Sequence, residues 1–209
     1  CIRDRIKRND VLVFNFPYPA KKDSLAMDVM LYYVKRCIAL PGDTLEIRNG
    51  FYRIRGTGEE LGNMAAQRRI SALTENDSRG VVMESFPWSK RLGWTIKEFG
   101  PLPVPAKGQV VSLDSISILF YQHIIRYEQK KELSLRDKLI YLGDSLIREY
   151  RFKENYYFVS GDNMENSRDS RYWGLLPESY IVGKATRIWK SKDPADGHIR
   201  WDRVFKKIE

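Results

Sequence analysis

Tyr33-Val34-Lys35-Arg36-Cys37-Ile38-Ala39-Leu40-Pro41-Gly42-Asp43 is the stretch on which the fold turns. Apolar and β-branched residues surround its two cations, and Pro41-Gly42-Asp43 stops the run as a turn. Read as a strand, it places Tyr33, Lys35 and Cys37 on one face and Val34, Arg36 and Ile38 on the other. Lys35 and Arg36 therefore have different jobs: one can point into a site while the other makes a structural ion pair. A free lysine has a pKa of about 10.4, so roughly 0.04% of it is neutral at pH 7. Burial disfavours the ammonium and can lower that value by about 3 units. A neutral amine can then take a proton from a hydroxyl. A solvated strand lysine is the plain alternative.

Upstream, Val11-Leu12-Val13-Phe14 reads as a buried strand ended by Pro17 and Pro19. Downstream, Thr44 to Arg48, the pair Asn49-Gly50 and Phe51 to Arg55 spell a hairpin with a type I′ turn. A helix is expected near Met64 to Leu73, then loop and short strand through Pro87, Gly93, Gly100, Pro101, Pro103 and Pro105. Ile118, Tyr121, Ile125 and Glu128 recur at helical spacing, which predicts an amphipathic helix over 114–131 capped by Asp114 or Ser115. Lys138 to Leu142, a Gly143-Asp144 turn and Leu146 to Phe152 predict a second hairpin. Tyr156 to Ser160, Ile181 to Trp189 and Arg200 to Val204 predict further strands, and no repeat is visible. The expected fold is mostly β: an antiparallel-sheet catalytic core from residues 7–45 and 156–209, with an inserted smaller α+β domain over 46–155.

The 209 residues are 43% hydrophobic and 30% charged, the balance of an ordinary globular chain with enough apolar content for a real core. A net charge of +9 can attract nucleic acid or an anionic membrane, but a well-solvated surface of scattered lysines is the plainer account. No nucleic-acid partner is expected. The longest uncharged stretch around the aromatics, Ser115 to Ile125, falls well short of the roughly 18 apolar residues of a membrane span. The chain begins at Cys1 rather than Met, so its true start is expected upstream. Cys1 and Cys37 make no Cys-x-x-Cys spacing, and His123 and His198 lie apart from carboxylate clusters. Neither a metal nor a cofactor is expected.

A second constellation bears on the lysine: Gly161-Asp162-Asn163-Met164-Glu165-Asn166-Ser167-Arg168-Asp169-Ser170-Arg171-Tyr172-Trp173-Gly174. A strand delivers Val159-Ser160 into this loop, where Asp, Asn and Ser fold back on their own backbone. Ser167 can hydrogen-bond a neutral amine and so aim it. Asp169 and Arg171 are candidates for a mutual salt bridge that fixes the loop. A purely structural polar loop is the alternative.

Together these residues closely resemble the type I signal peptidases, membrane-bound serine endopeptidases that cut signal peptides from exported bacterial proteins. The run from Tyr33 to Asp43 is similar to that family's lysine motif at nearly every position, and the loop resembles its Gly-Asp-Asn-x-x-x-Ser-x-Asp-Ser-Arg-x-Trp-Gly motif throughout. Lys7 to Phe14 looks like the family's Arg-Gly-Asp-Ile-Val-Val-Phe strand, with Asn9 in place of Gly; Asn tolerates φ > 0 better than most residues. Val182-Gly183-Lys184-Ala185 looks like the strand after the second motif. The resemblance implies that Lys35 is the general base of a Ser/Lys dyad, oriented by Ser167, with Asp169 and Arg171 bracing the site and Arg36 as further structural support. It also implies that the strand around Tyr33 and Val34 pairs with the extended signal peptide, whose residues before the cut are small. The implied partners are exported preproteins and, through an N-terminal helix upstream of this chain, the cytoplasmic membrane, with the catalytic part on its outer face.

The family nucleophile is a serine in a Ser-x-x-Pro motif upstream of the Lys7 to Phe14 strand, so it is expected ahead of this chain, and the chain alone is expected to be inert. The match at Ser191-Lys192-Asp193-Pro194 follows both motifs and is read as chance. Cys37, on the Lys35 face, is a substitute nucleophile without family precedent. Two rivals stay open: another Ser/Lys processing protease, and a non-catalytic homologue that binds signal peptides without cutting them.

Overall fold

The computed structural model describes residues 6–17, 28–74, 80–137, 139–193 and 196–208, with the side chains of 28–30 set aside. Cys1, Pro19, Lys138 and Pro194 lie outside these. The apolar run before Pro17 is β1 (Val11–Phe16), and the lysine stretch is β2 (Asp28–Ala39), which the Pro41-Gly42 turn ends. β3 (Thr44–Arg48) and β4 (Phe51–Ile54) form the expected hairpin. Asn49 and Gly50 sit at φ 50° and 83°, the left-handed pair that a type I′ turn requires. α1 (Met64–Ala72) starts at Asn63, whose side chain accepts from the Ala66 N–H.

β5 (Phe99–Pro103) adds to the free edge of β3 and completes a three-stranded sheet. β6 (Val110–Ser112) precedes α2 (Ser117–Gln129). The cap of α2 departs from expectation: Ile116 holds the N-cap position and makes no side-chain cap bond. Asp114 does its work from further out, its Oδ1 accepting the N–H groups of Ile116 and Ser117 at 2.8 and 2.7 Å.

The expected second hairpin is split. β7 (Leu133–Arg136), β8 (Leu139–Leu142) and β9 (Ser145–Ile147) make one small sheet, and β7 was not foreseen. β10 (Glu149–Arg151) leaves it and pairs with β6. The reason lies in burial: Tyr150 and Phe152 are buried while Leu146 is 45% exposed, so one continuous strand cannot satisfy both halves.

β11 (Tyr156–Ser160), α3 (Ser170–Trp173), β12 (Leu176–Pro177) and β13 (Ile181–Lys184) complete the chain's regular elements. β13 stops well short of Trp189 because its partner runs out: Leu12 faces Lys184, and the last bond to β1 is from Ala185 N–H to Val11 O. Residues 200–204 are not a strand; Trp201–Arg203 is a 3-10 turn with no buried residue, so no sheet face holds it flat.

The main sheet runs β12-β11-β2-β1-β13, all antiparallel. Alternation, broken at Ala39 where the β2–β11 register shifts, gives its two faces to two cores. Leu12, Phe14, Phe16, Cys37, Tyr157 and Val159 pack with Trp173 on one side. Ile38, Ala39, Tyr156 and Phe158 join the β3-β4-β5 sheet and both longer helices on the other. The chain is mostly β, as expected. The division expected at 45/46 falls inside β3, and the second core is continuous across it.

Candidate active site

Lys35 lies on β2 opposite Leu12 of β1, on the face it shares with Tyr33 and Cys37. Its Nζ donates to Ser167 Oγ at 2.9 Å, closing 132 residues of sequence. Burial pushes the ammonium below its ordinary range; the Asp169 charge opposes this, Arg171 adds to it and Asp162 opposes it. Asp169 and Arg171 are paired, so their fields largely cancel at the amine and desolvation decides. A neutral amine that spends one N–H on Ser167 keeps its lone pair for an incoming proton.

The loop that supplies Ser167 is held by a buried carboxylate. Asp169 and Arg171 are both 0% exposed. Arg171 Nε and Nη2 donate to the two Asp169 oxygens at 2.9 Å each, and Nη2 also reaches Met164 O at 2.8 Å. Burial alone would raise the Asp169 carboxyl. The Arg171 charge and the hydrogen bonds from Arg171, the Gly161 N–H and the Ser167 hydroxyl hold it below the usual carboxylate range. Ser167 thus turns its proton to Asp169 and its lone pairs to Lys35. Ser170 Oγ accepts from Val159 N–H at 3.0 Å and ties the loop's far end to β11.

Arg36, on the opposite face, makes the structural pair that alternation demanded: Nε and Nη2 donate to Asp162 at 2.9 and 2.8 Å, and Nη1 to Asn9 O at 2.9 Å. Asn9 stands at φ 69°, the conformation for which glycine would serve. Tyr33 packs its ring on Phe16, 4.7 Å between centroids, with Lys35 Nζ 5.9 Å from its centre. Val34 points the other way and is 54% exposed. The two residues expected to meet substrate therefore share an edge and not a face. On that edge β11 pairs with β2 only over Arg36–Ala39, whereas β1 covers the other edge from Asp28 to Arg36. Among the described residues, no strand lies beside Tyr33-Val34-Lys35 on the β11 side.

Cys37 is 0% exposed, and burial pushes its thiol up. That closes it to substrate and removes it as a nucleophile. Among the described residues no group of three or more His, Cys, Asp or Glu is placed to hold a metal, and no helix is long and apolar enough to cross a membrane.

A family model described as signal peptidase, peptidase S26, matches residues 3–190. The chain belongs to the signal peptidase family. Signal peptidase I of Buchnera aphidicola subsp. Acyrthosiphon pisum (strain APS) is 28% identical over 210 residues, 94% of this chain and 59% of that protein. Signal peptidase I of Aquifex aeolicus (strain VF5) is 27% identical over 184 residues, 88% of this chain and 63% of that one. The chain spans about three fifths of the length of such relatives. A crystal structure of a signal peptidase I from Enterococcus faecalis V583 aligns over 87% of this chain and 97% of that one at 19% identity, with a TM-score of 0.42, too low to bear on the site.

Three contributors to the site in this signal peptidase family member escaped the sequence reading. Tyr52 donates to Ser160 Oγ at 2.6 Å, and Ser160 donates to Asp169 Oδ2 at 3.2 Å, so the β3-β4 hairpin reaches the loop through two hydroxyls. Tyr52 sits on an ordinary alternating strand and carries no signal of this. Gly161 lies within the quoted motif, but its reason is steric. A Cβ there would overlap Ser167 Oγ and come within 3.1 Å of Lys35 Nζ. Gly161→Ala is therefore expected to fold and yet swing Ser167 off the amine. The Lys35 titration midpoint should shift, read by NMR beside an unchanged far-UV spectrum.

Proposed function

We propose that the full-length protein is a signal peptidase I, a serine endopeptidase that removes signal peptides from exported preproteins with a Ser/Lys dyad. The observation that carries this reading is the 2.9 Å bond from Lys35 Nζ to Ser167 Oγ at an amine whose burial favours the neutral form. Lys35 is the general base, Ser167 orients it, and the Asp169–Arg171 pair braces Ser167. The attacking serine is proposed to lie in a segment ahead of the Lys7 to Phe14 strand, as the resemblance implies.

In this scheme the serine oxygen bonds to the scissile carbonyl carbon as Lys35 Nζ takes its proton. The tetrahedral adduct collapses, the C–N bond breaks, and the ammonium returns the proton to the leaving amine. Water then repeats the sequence on the acyl-enzyme and frees the serine. The signal peptide adds as a strand to the open β2 edge at Tyr33-Val34-Lys35, where backbone bonds give affinity. Residues 7–45 and 156–209 act as the catalytic core and 46–155 as its insertion. The working place is the outer face of the cytoplasmic membrane.

The test is to mix full-length protein with a secretory preprotein and read the new N-terminus by mass spectrometry. A single cut directly after an Ala-x-Ala-like triplet is expected. An intact preprotein, or cuts without regard to small residues, overturns the reading.

A further inference from the structure

A cavity of about 310 Å³ opens against the Ser167 loop, and Ser167 itself forms part of its wall. Five aromatic rings line it as well, Phe16 at the end of β1, Phe86, Trp88, Tyr172 and Trp173, beside polar groups of the 165–168 segment. These rings are fixed before any ligand arrives. Trp88 stacks on Tyr172 with 6.2 Å between centroids, and its Nε1 donates to Tyr172 O at 2.8 Å. The Tyr172 hydroxyl donates to Val82 O at 2.9 Å, and Phe16 meets Trp173 edge-on at 6.3 Å. Gly174, at φ 90°, leaves room for Phe86, whose ring atoms would stand 2.8–3.0 Å from any Cβ there. Arg168 is exposed beside it, with its guanidinium carbon 5.8 Å from the centre of the Phe16 ring.

The proposed chemistry uses none of these rings, and the small residues before the cut cannot fill such a volume. The sheet geometry indicates what can reach it. β11 holds the β2 edge over Arg36–Ala39 and leaves it at Gly161. A peptide on the same edge at Tyr33-Val34-Lys35 thus runs end-on into the loop of residues 161–168. To continue past Lys35 it must pass Ser167, whose side chain bonds the amine and lines the cavity.

We propose that this cavity is a subsite for a bulky apolar side chain, aromatic or leucine-sized, in the preprotein segment beyond the scissile bond. The inference rests on the peptide-cleft reading above and extends it to the mature side of the substrate, where that reading assigns no preference. The rigid aromatic walls supply burial at small ordering cost.

The test uses the 209-residue chain and labelled peptides with Ala-x-Ala followed by a Gly/Ser segment. Phenylalanine is placed in turn at each of the first six downstream positions, and binding is read by fluorescence anisotropy. At one or two positions affinity is expected to rise about tenfold over the Gly/Ser control. Val82→Trp, which fills the mouth, should remove that gain and leave binding of the control unchanged, while Trp88→Phe should keep most of it. A flat series, or a gain that survives Val82→Trp, overturns the subsite while leaving the cleft intact. If the control and every phenylalanine peptide fail to bind, the cleft reading falls and the subsite with it.

Discussion

Lys35→Met in the full-length protein is expected to lower kcat/KM for preprotein processing about a thousandfold, and at neutral pH to make the fold more stable. The rate loss follows from deleting the group proposed to take the serine proton, since general-base catalysis contributes about 10²–10⁴. The stability gain follows from the same burial. Burial puts the folded-state pKa of Lys35 below its unfolded value of about 10.4. Between those two values the unfolded chain binds more protons, so stability rises with pH across that window. Below the folded-state value the full penalty of charging a half-buried amine is present. Methionine has a similar length and no charge, so it removes that penalty. The advantage of the variant should be largest in acid and should shrink as pH rises through the folded-state value toward about 10.4. Urea titrations of parent and variant at pH 6 and pH 10, beside the kinetics, check both halves. An equal rate, or a variant destabilised at pH 6, would contradict the assignment.

Arg171→Met carries the largest expected loss of stability, about 3–5 kcal/mol, because it leaves Asp169 buried without a counter-charge. For a domain of this size that is roughly 10 °C in Tm. In the parent, the Asp169 carboxyl is held low, so its contribution is present above an unfolded value of about 3.9 and is lost as pH falls through the lower folded-state value. In the variant burial is opposed only by the remaining hydrogen bonds, from the Gly161 N–H and the Ser167 and Ser160 hydroxyls, so the carboxyl rises, acid neutralises it more readily and the gap between the proteins narrows. Denaturation at pH 7 and pH 4 should show a wide gap and then a narrow one. Asp169→Asn combined with Arg171→Met keeps an acceptor for the Gly161 N–H while removing the stranded charge, and is expected to recover part of the loss. If the single variant were as stable as the parent at pH 7, the ion pair would not be what holds the loop.

Where side-chain alternation and turn chemistry act locally, residues alone reached the right structure. Lys35 and Arg36 had to part company on a strand, and they do, one to Ser167 and the other to Asp162. Asn49-Gly50 fixed its hairpin because few other pairs tolerate two positive φ values. Legibility failed where distant partners decide. The strand expected over 146–152 divides because Tyr150 belongs to the core near Glu128, which its hydroxyl touches at 2.6 Å. Arg200 to Val204 alternates in sequence but meets no sheet. Tyr52 joins the site only because the second sheet packs against β11, which no local pattern encodes. The aromatic cavity beside Ser167 draws on residues from β1 to α3, and their convergence belongs to topology rather than to spacing.

The most direct measurement is the pH titration of Lys35 itself, by NMR of a chain carrying ¹³C-labelled lysine, with Lys35→Met used to assign the resonance. A half-buried amine beside Ser167, its pKa lowered by burial, should titrate below the other lysines, and Gly161→Ala, which displaces that hydroxyl, should move its midpoint. A Lys35 midpoint at or above about 10.4 would mean the amine is an ordinary ammonium at working pH, and the base assigned to it would not exist.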